Sequence, residues 1–427
     1  MTERYRTMHS TNSKNHRSGF WTLTIGTLSS AALLLAGCGA LPMMMDEPRA
    51  PQQKTEPLPP VAPPTAVTLG KETGAPAAAV ANSKDVKVAI LLPLNHKDKQ
   101  IRSAAKSLLD AAQMAVFDSN SKNLVLMPGD TGSTPEEAAA AAQTALQKGA
   151  EIILGPLLAA DVRTVAPIAA QRQVPLIAFS NDRSVAGNGV FLLSFPPEEE
   201  VRRIVRRASQ EGRQRFVALI PDNAYGLRVE AAFQKEVVAN GRQIVAVERY
   251  QPDPQALEGA VKKVAKLGFD SIFLPEGGTM LRSLAPILTV KGVNAQRTRF
   301  LGTAKWDDPS VTAEPALIGG WYVLPPREPR QNFNQRFEQT YGERPPAIAS
   351  LSYDAVALTA VLAGGEKGKR YTVATITDPN GFAGIDGIFR FMPDGLTERG
   401  LAVMEIKGQG GLSVVDPAPA SFQRAGF

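Results

Sequence analysis

The sequence predicts an α/β protein made of two doubly wound, parallel-sheet lobes around a central cleft. Three observations carry this. Apolar runs of strand length recur, amphipathic stretches separate them, and proline pairs interrupt the series at Pro196-Pro197 and again at Pro325-Pro326. An apolar run without alternation suits a strand buried on both faces, as parallel sheets require when helices cover both sides. The series holds too many βα units for one comfortable sheet, so it divides at the first proline pair.

The first lobe opens on the run at 86–92 (VKVAILL), and strands follow at 124–127, 152–154, 175–179 and 191–195. Helices read between them at 101–117, 134–147 and 161–171. The start at 134 is the best signalled. Thr134 offers an N-cap, Pro135 the first helical position and Glu137 the third, a capping box, and Gly149 marks the stop. The second lobe takes strands at 216–220, 244–247 and 271–274, with helices at 198–211, 226–240, 254–267 and 280–291. Helices at 331–341 and 347–362 would return to the first lobe, and 385–391 with 401–406 reads as a hairpin completing the second. The expected boundaries are 86–194 plus 325–384 for lobe one, 195–324 plus 385–407 for lobe two, and a loose tail at 408–427.

Of 427 residues, 44% are hydrophobic and 21% charged, which is ordinary globular usage and excludes a disordered coat. The scarcities say more. The chain has one cysteine, Cys38, and three histidines, of which His9 and His16 lie in the first 37 residues. No intrachain disulfide can form, no Cys/His metal cluster is available, and a Ser-His-Asp triad would have to use His96. His96 itself, beside Lys97-Asp98-Lys99, reads as a solvent-exposed side chain. Neither a Walker loop nor a Gly-x-Gly-x-x-Gly turn follows a strand, so no nucleotide cofactor is expected.

Residues 1–19 carry Arg4, Arg6, Lys14 and Arg17 against Glu3, and an apolar run at 20–35 follows, too short to span a bilayer securely. The run ends in Leu35-Ala36-Gly37-Cys38, small residues before the sole cysteine. This resembles the bacterial lipoprotein signal, and the resemblance implies cleavage of 1–37 and diacylglyceryl modification of Cys38. Acyl chains at about 0.8 kcal/mol per buried methylene would make the membrane anchor effectively permanent. Gly39 stands where an Asp would imply retention in the inner membrane, so the resemblance implies the periplasmic face of the outer membrane. Removing four basic residues and one acidic residue lowers the net charge of +6 by three, so the basic balance does not argue for nucleic-acid binding. From 38 to 85 prolines recur without hydrophobic period, a disordered spacer. About 46 residues would reach at most ~140 Å in the polyproline conformation.

Open α/β sheets bind ligands beyond the carboxyl ends of their strands. The residues just past the expected strands are Asn95, Asp130, Gly155, Pro156, Ser180, Asn181 and Asp182 in lobe one, and Asp222, Tyr225, Glu276 and Trp306 in lobe two. A zwitterion would need hydroxyl and N–H donors for its carboxylate, from Ser180 and Asn181, and an anion for its ammonium, Glu276 or Asp222. Tyr225 or Trp306 would cover its apolar side. Each has a structural alternative. Ser180-Asn181-Asp182 reads equally as a turn and helix cap, Asp222-Asn223 as a helix entry, and Glu276 as a solvated loop carboxylate.

The ordered series Val88-Ala89-Ile90-Leu91-Leu92-Pro93-Leu94, Ile153-Leu154-Gly155-Pro156-Leu157, Ile177-Ala178-Phe179-Ser180-Asn181-Asp182, Pro221-Asp222-Asn223-Ala224-Tyr225-Gly226, Leu274-Pro275-Glu276-Gly277-Gly278 and Ser352-Tyr353-Asp354-Ala355-Val356 resembles the type I periplasmic-binding-protein fold of the Leu/Ile/Val-binding class. With the lipoprotein-like leader and spacer, it is most similar to the penicillin-binding protein activator lipoproteins, some of which stimulate a peptidoglycan synthase from the outer membrane. The resemblance implies a non-enzymatic regulator with a peptidoglycan synthase as partner, and it puts Ser180, Asn181, Tyr225 and Glu276 where amino-acid receptors of this fold hold a small amino-acid-like ligand. One departure matters. The loop at 93–100 (PLNHKDKQ) is bulky and charged where those receptors carry small residues. The alternatives are a substrate-binding lipoprotein of an amino-acid importer, and a glycan hydrolase using carboxylates such as Asp130 and Glu276.

Overall fold

The computed structural model describes residues 85–422 apart from Pro252. The leader, Cys38, all but the last residue of the 38–85 spacer, and residues 423–427 lie outside the described residues.

Lobe one contains β1 (Val86–Leu92), α1 (Lys99–Ser119), β2 (Leu124–Asp130), α2 (Pro135–Gln147), β3 (Ile152–Leu154), α3 (Ala159–Ala170), β4 (Leu176–Ala178) and β5 (Val190–Leu192). Its strands form a parallel sheet in the order β2-β1-β3-β4-β5. β1 shows why its sequence is continuously apolar: Val86, Val88, Ile90 and Leu92 enter the core shared with α1, and Ala89 and Leu91 enter the core shared with α2 and α3. α1 starts on Asp98, whose carboxylate accepts the Gln100 and Ile101 N–H groups. α2 has the expected capping box between Thr134 and Glu137.

Lobe two follows with α4 (Pro197–Gln210), β6 (Arg215–Pro221), α5 (Ala224–Ala239), β7 (Gln243–Tyr250), α6 (Pro254–Val264), β8 (Ser271–Phe273), α7 (Gly278–Val290), β9 (Arg299–Gly302), α8 (Pro309–Thr312) and β10 (Trp321–Leu324). The chain then returns to lobe one in α9 (Arg327–Tyr341), α10 (Ala349–Leu362) and α11 (Val373–Ile376), whose apolar faces join the α1 side. A small antiparallel sheet of β11 (Phe382–Gly384), β12 (Gly387–Phe391) and β13 (Thr397–Arg399) comes next, and β14 (Ala402–Ile406) and β15 (Leu412–Asp416) end the described chain. The lobe-two sheet has the order β15-β14-β10-β9-β8-β6-β7, parallel except where β14 and β15 join. The faces of β6 again divide between two cores, Val217 and Leu219 on one and Phe216, Ala218 and Ile220 on the other. Three short segments cross between the lobes, at 193–196, 325–326 and 400–401.

The last part of the chain departs from the sequence reading in two places. Residues 385–391 do not pair with 401–406. β12 pairs instead with β11 and β13, and Phe389 and Phe391 bury themselves in the lobe-one core beside Phe191, whose ring lies 5.4 Å from that of Phe391. The stretch at 408–427 is not wholly loose either, because Leu412–Asp416 pairs antiparallel with β14 and forms the sheet edge.

Candidate functional site

On the lobe-one side, Asp130 at the end of β2 organises the loop after β1. Its Oδ1 accepts the N–H groups of Leu94 (2.8 Å), Asn95 (3.2 Å) and Gly132 (2.9 Å), and its Oδ2 accepts Asn95 Nδ2 at 2.7 Å. Asn95 and Asp130 are thus brought together, but as a clasp. His96 is buried and not exposed as the sequence suggested: Nδ1 accepts the Asp98 N–H at 3.0 Å, and Arg102 donates to its carbonyl. The charged loop therefore folds down as the entry to α1. Gly155 and Pro156 are buried, and Gly155 adopts φ +86°, where a Cβ would lie 2.2 Å from Leu91 O. Ser180 is buried and its Oγ accepts the Asp182 N–H at 3.2 Å. Asp182 caps the following turn through the Ser184 N–H (3.0 Å) and pairs with Arg163 (2.7 Å), while Asn181 is exposed. The bonds from Ser184 hold the Asp182 carboxyl below its usual range.

The lobe-two residues form a closer group. Tyr225 donates to Thr303 Oγ1 at 3.2 Å, and Lys305 Nζ lies 4.0 Å above its ring. The same ammonium is 3.9 Å from Glu276 Oε1, while Tyr250 donates to Glu276 Oε2 at 3.3 Å. Burial raises the phenols of Tyr225 and Tyr250, so both stay protonated donors. Asp222 is exposed and accepts Gln251 Nε2 at 2.7 Å. Trp306 does not face the cleft. It is fully buried, its Nε1 donates to Leu274 O at 3.0 Å, and its ring packs where Cβ atoms of Gly302 and Gly320 would stand. The 3-10 turn after β9 folds the indole back under the sheet, so it is core and covers no ligand.

The sequence reading missed the site's most connected segment, the first turn of α4. Glu198 accepts both arms of Arg228 at 2.9 Å and lies 3.6 Å from Arg183 of lobe one. Glu199 pairs with Arg202, which also reaches Glu398 of β13. Glu200 accepts the Ala304 N–H at 2.9 Å. Three carboxylates at a helix N-terminus are favoured by the helix dipole. Burial nonetheless pushes Glu199 and Glu200 up to about 7, against Arg202 and the Ala304 amide respectively. Three consecutive acids directly after the proline pair were the available signal.

Behind this turn lies a cavity of about 500 Å³, bounded by all three crossings. Phe195 and Pro196, the stretch 323–327, and Arg399 with Leu401 line it, and none of the eleven cleft candidates does. Beside it sits a buried charge cluster. Arg330 Nε donates to Asp386 Oδ1 (2.7 Å), Ser350 Oγ to Asp386 Oδ2 (2.7 Å), and the Ile385 N–H to Asp354 Oδ1 (2.8 Å). Burial and the neighbouring Asp386 push Asp354 up to about 7. Among the described residues no group of three or more His, Cys, Asp or Glu could hold a metal ion, and no helix is long and apolar enough to cross a membrane.

Two doubly wound lobes joined by three crossings have the architecture of a type I periplasmic binding protein. The sequence family described as periplasmic binding protein matches residues 85–411, and the chain belongs to it. Among solved structures, a branched-chain amino acid ABC transporter protein of Rhodospirillum rubrum is similar at TM-score 0.68 and 17% identity, over 78% of this chain and 100% of that one. A branched-chain amino acid ABC transporter periplasmic ligand-binding protein of Burkholderia xenovorans follows the same fold at TM-score 0.59 and 18% identity, over 78% and 94%. In sequence, the chain is 24% identical over 182 residues to an uncharacterized protein of Rickettsia prowazekii, 43% of this chain and 48% of that one. It is 32% identical over 122 residues to penicillin-binding protein activator LpoA of Pantoea ananatis, 28% of this chain and 17% of that one. The activator of Vibrio cholerae matches at 27% over 172 residues, 39% of this chain and 28% of that one. The matches thus span about half of the first relative and less than a third of the two activators.

Proposed function

We propose that this chain is a lipid-anchored, non-enzymatic regulator that binds and stimulates a peptidoglycan synthase from the periplasmic face of the outer membrane. The observation that carries the reading is its similarity to penicillin-binding protein activators, 32% identical over 122 residues and 27% over 172. The leader ending in Gly37-Cys38, the residue Gly39 and the proline-rich spacer support it, since a tethered domain needs reach toward the cell wall. The lobe-one side of the cleft adds to it. Asp130, Ser180 and Asp182 are engaged in loop clasps and caps, which leaves lobe one few side chains for a free amino acid.

The direct test mixes the purified, lipid-bearing protein with a purified synthase and follows glycan polymerisation and crosslinking. Binding with an increased rate is expected; neither binding nor a rate change would end the reading. Mass analysis of the native product should find acyl chains on Cys38 and no residues before it.

A second reading, a substrate-binding lipoprotein of a branched-chain amino-acid importer, is favoured by the transporter proteins that share the fold and by the Tyr225-Lys305-Glu276 group. Tight, stoichiometric amino-acid binding that is lost in Glu276→Gln would establish it.

A further inference from the structure

The Tyr225-Lys305-Glu276 group contains its own cation. A carboxylate beside an aromatic face is a seat for an ammonium ion, the carboxylate meeting its charge and the ring its open side. Glu276 and Tyr225 form such a seat just past β8 and β6, where open α/β sheets take their ligands. The ammonium found there is Lys305 Nζ, 4.0 Å from the Tyr225 ring centre and 3.9 Å from Glu276 Oε1. Among the described residues Glu276 is the one carboxylate within ion-pair distance of it. The other partners of Glu276 are uncharged, the Tyr250 hydroxyl at 3.3 Å and the Gly277 N–H at 3.2 Å, so Lys305 supplies its counter-charge.

The fold places the lysine there. Its chain neighbours are pinned on both sides, because the Ala304 N–H donates to Glu200 at 2.9 Å and the fully buried Trp306 indole donates to Leu274 O at 3.0 Å. The turn also rests on Gly277, where a Cβ would come within 2.7 Å of Lys305 O and 2.9 Å of Lys305 Cβ. Glycine at 277 is thus what lets the turn after β9 close on the loop after β8. The lysine side chain remains 43% exposed, so the seat opens to solvent and a ligand can reach it.

We propose that Lys305 sets the specificity of this lobe-two site: from within the chain it fills the ammonium position at Glu276 and Tyr225, and so excludes ligands that carry an amine. Competition decides this, since an exposed ion pair and a cation–π contact are each weak. A ligand ammonium entering the seat replaces one cation by another and gains no ion pair. Lys305, carried on a pinned turn, competes as an intramolecular group at high effective concentration. Ligands without an ammonium, and protein surfaces, meet no such rival. The inference rests on the fold and these side chains, not on the partner proposed above, and it counts against a free amino acid as cargo.

The test is saturation-transfer NMR on the purified full-length protein, with 3-methylbutylamine as probe and 3-methylbutanol as its uncharged counterpart. The unaltered protein should give no amine signal. Lys305→Ala should bind the amine at least about tenfold more tightly, the worth of one such ion pair and ring contact together. Adding Glu276→Gln to that variant should abolish the gain, and the alcohol should respond alike to all three proteins. Equal amine binding with and without Lys305, a gain that survives the loss of Glu276, or an equal gain for the alcohol would overturn the proposal. Should Lys305→Ala fail to fold, Lys305→Ser is read by the same criteria. The readout is binding alone, so its failure leaves synthase stimulation untouched, and the converse holds.

Discussion

Gly155 is the residue whose identity the backbone fixes most firmly. At φ +86°, with a Cβ destined to meet Leu91 O at 2.2 Å, any side chain must push β1 away from the following turn. Gly155→Ala is therefore expected to destabilise lobe one by about 2 kcal/mol or more, read as a lower urea midpoint. Trp306 supplies the complementary case. Its position after a strand made it a reasonable cleft residue on paper, but only the 3-10 turn, invisible in the apolar pattern, decides which way the indole folds. Trp306→Ala should cost about 3–5 kcal/mol of stability, as a large core truncation does. Tyr225 and Glu276, by contrast, were legible as polar residues just past strands, and they do stand together around Lys305.

At the scale of elements, α4 concentrates the chemistry that pH can reach. Glu200 moves from an ordinary value of 4.5 to about 7, chiefly by burial, and faces Lys305, Glu198 and the Ala304 amide. A carboxyl raised on folding binds protons more tightly in the folded state, so its favourable contribution is full below about 4.5 and is lost as pH rises toward 7. Thermal melts should show stability falling between pH 5 and pH 8, with Glu200→Gln removing about 1–2 kcal/mol of that fall. Strands such as β1 and β6 were legible because each feeds two cores and is apolar throughout. β13 was not, because Thr397, Glu398 and Arg399 are buried polar residues, Glu398 held by ion pairs with Arg202 and Arg390 and the other two by hydrogen bonds to the Leu192 and Ser194 carbonyls, which no hydropathy pattern reveals. The destination of 385–391 depended on the Phe389 and Phe391 side chains finding Phe191 nearly 200 residues earlier in the chain, a distant contact that local alternation cannot announce.

Taken whole, the molecule is a pair of sandwiches whose relative motion is checked by few contacts outside the crossings. Glu198, gripped by Arg228 in lobe two and 3.6 Å from Arg183 in lobe one, is one of them. Partly exposed ion pairs contribute about 1 kcal/mol or less. Glu198→Ala should accordingly speed hydrogen exchange several-fold at residues 183–185 and in the first turn of α4, while α2 is unaffected. The two lobes and their order were readable from the βα rhythm and the two proline pairs; the cavity between the crossings was not, because it is assembled from segments 195–200, 323–334 and 399–401 that share no motif. The regulator reading is tested most directly by affinity capture of the native lipoprotein from crosslinked, detergent-solubilised membranes, with synthases and importer permeases quantified side by side. Enrichment of a peptidoglycan synthase over any permease is the predicted result; enrichment of a permease with its ATPase, and no synthase, would contradict it.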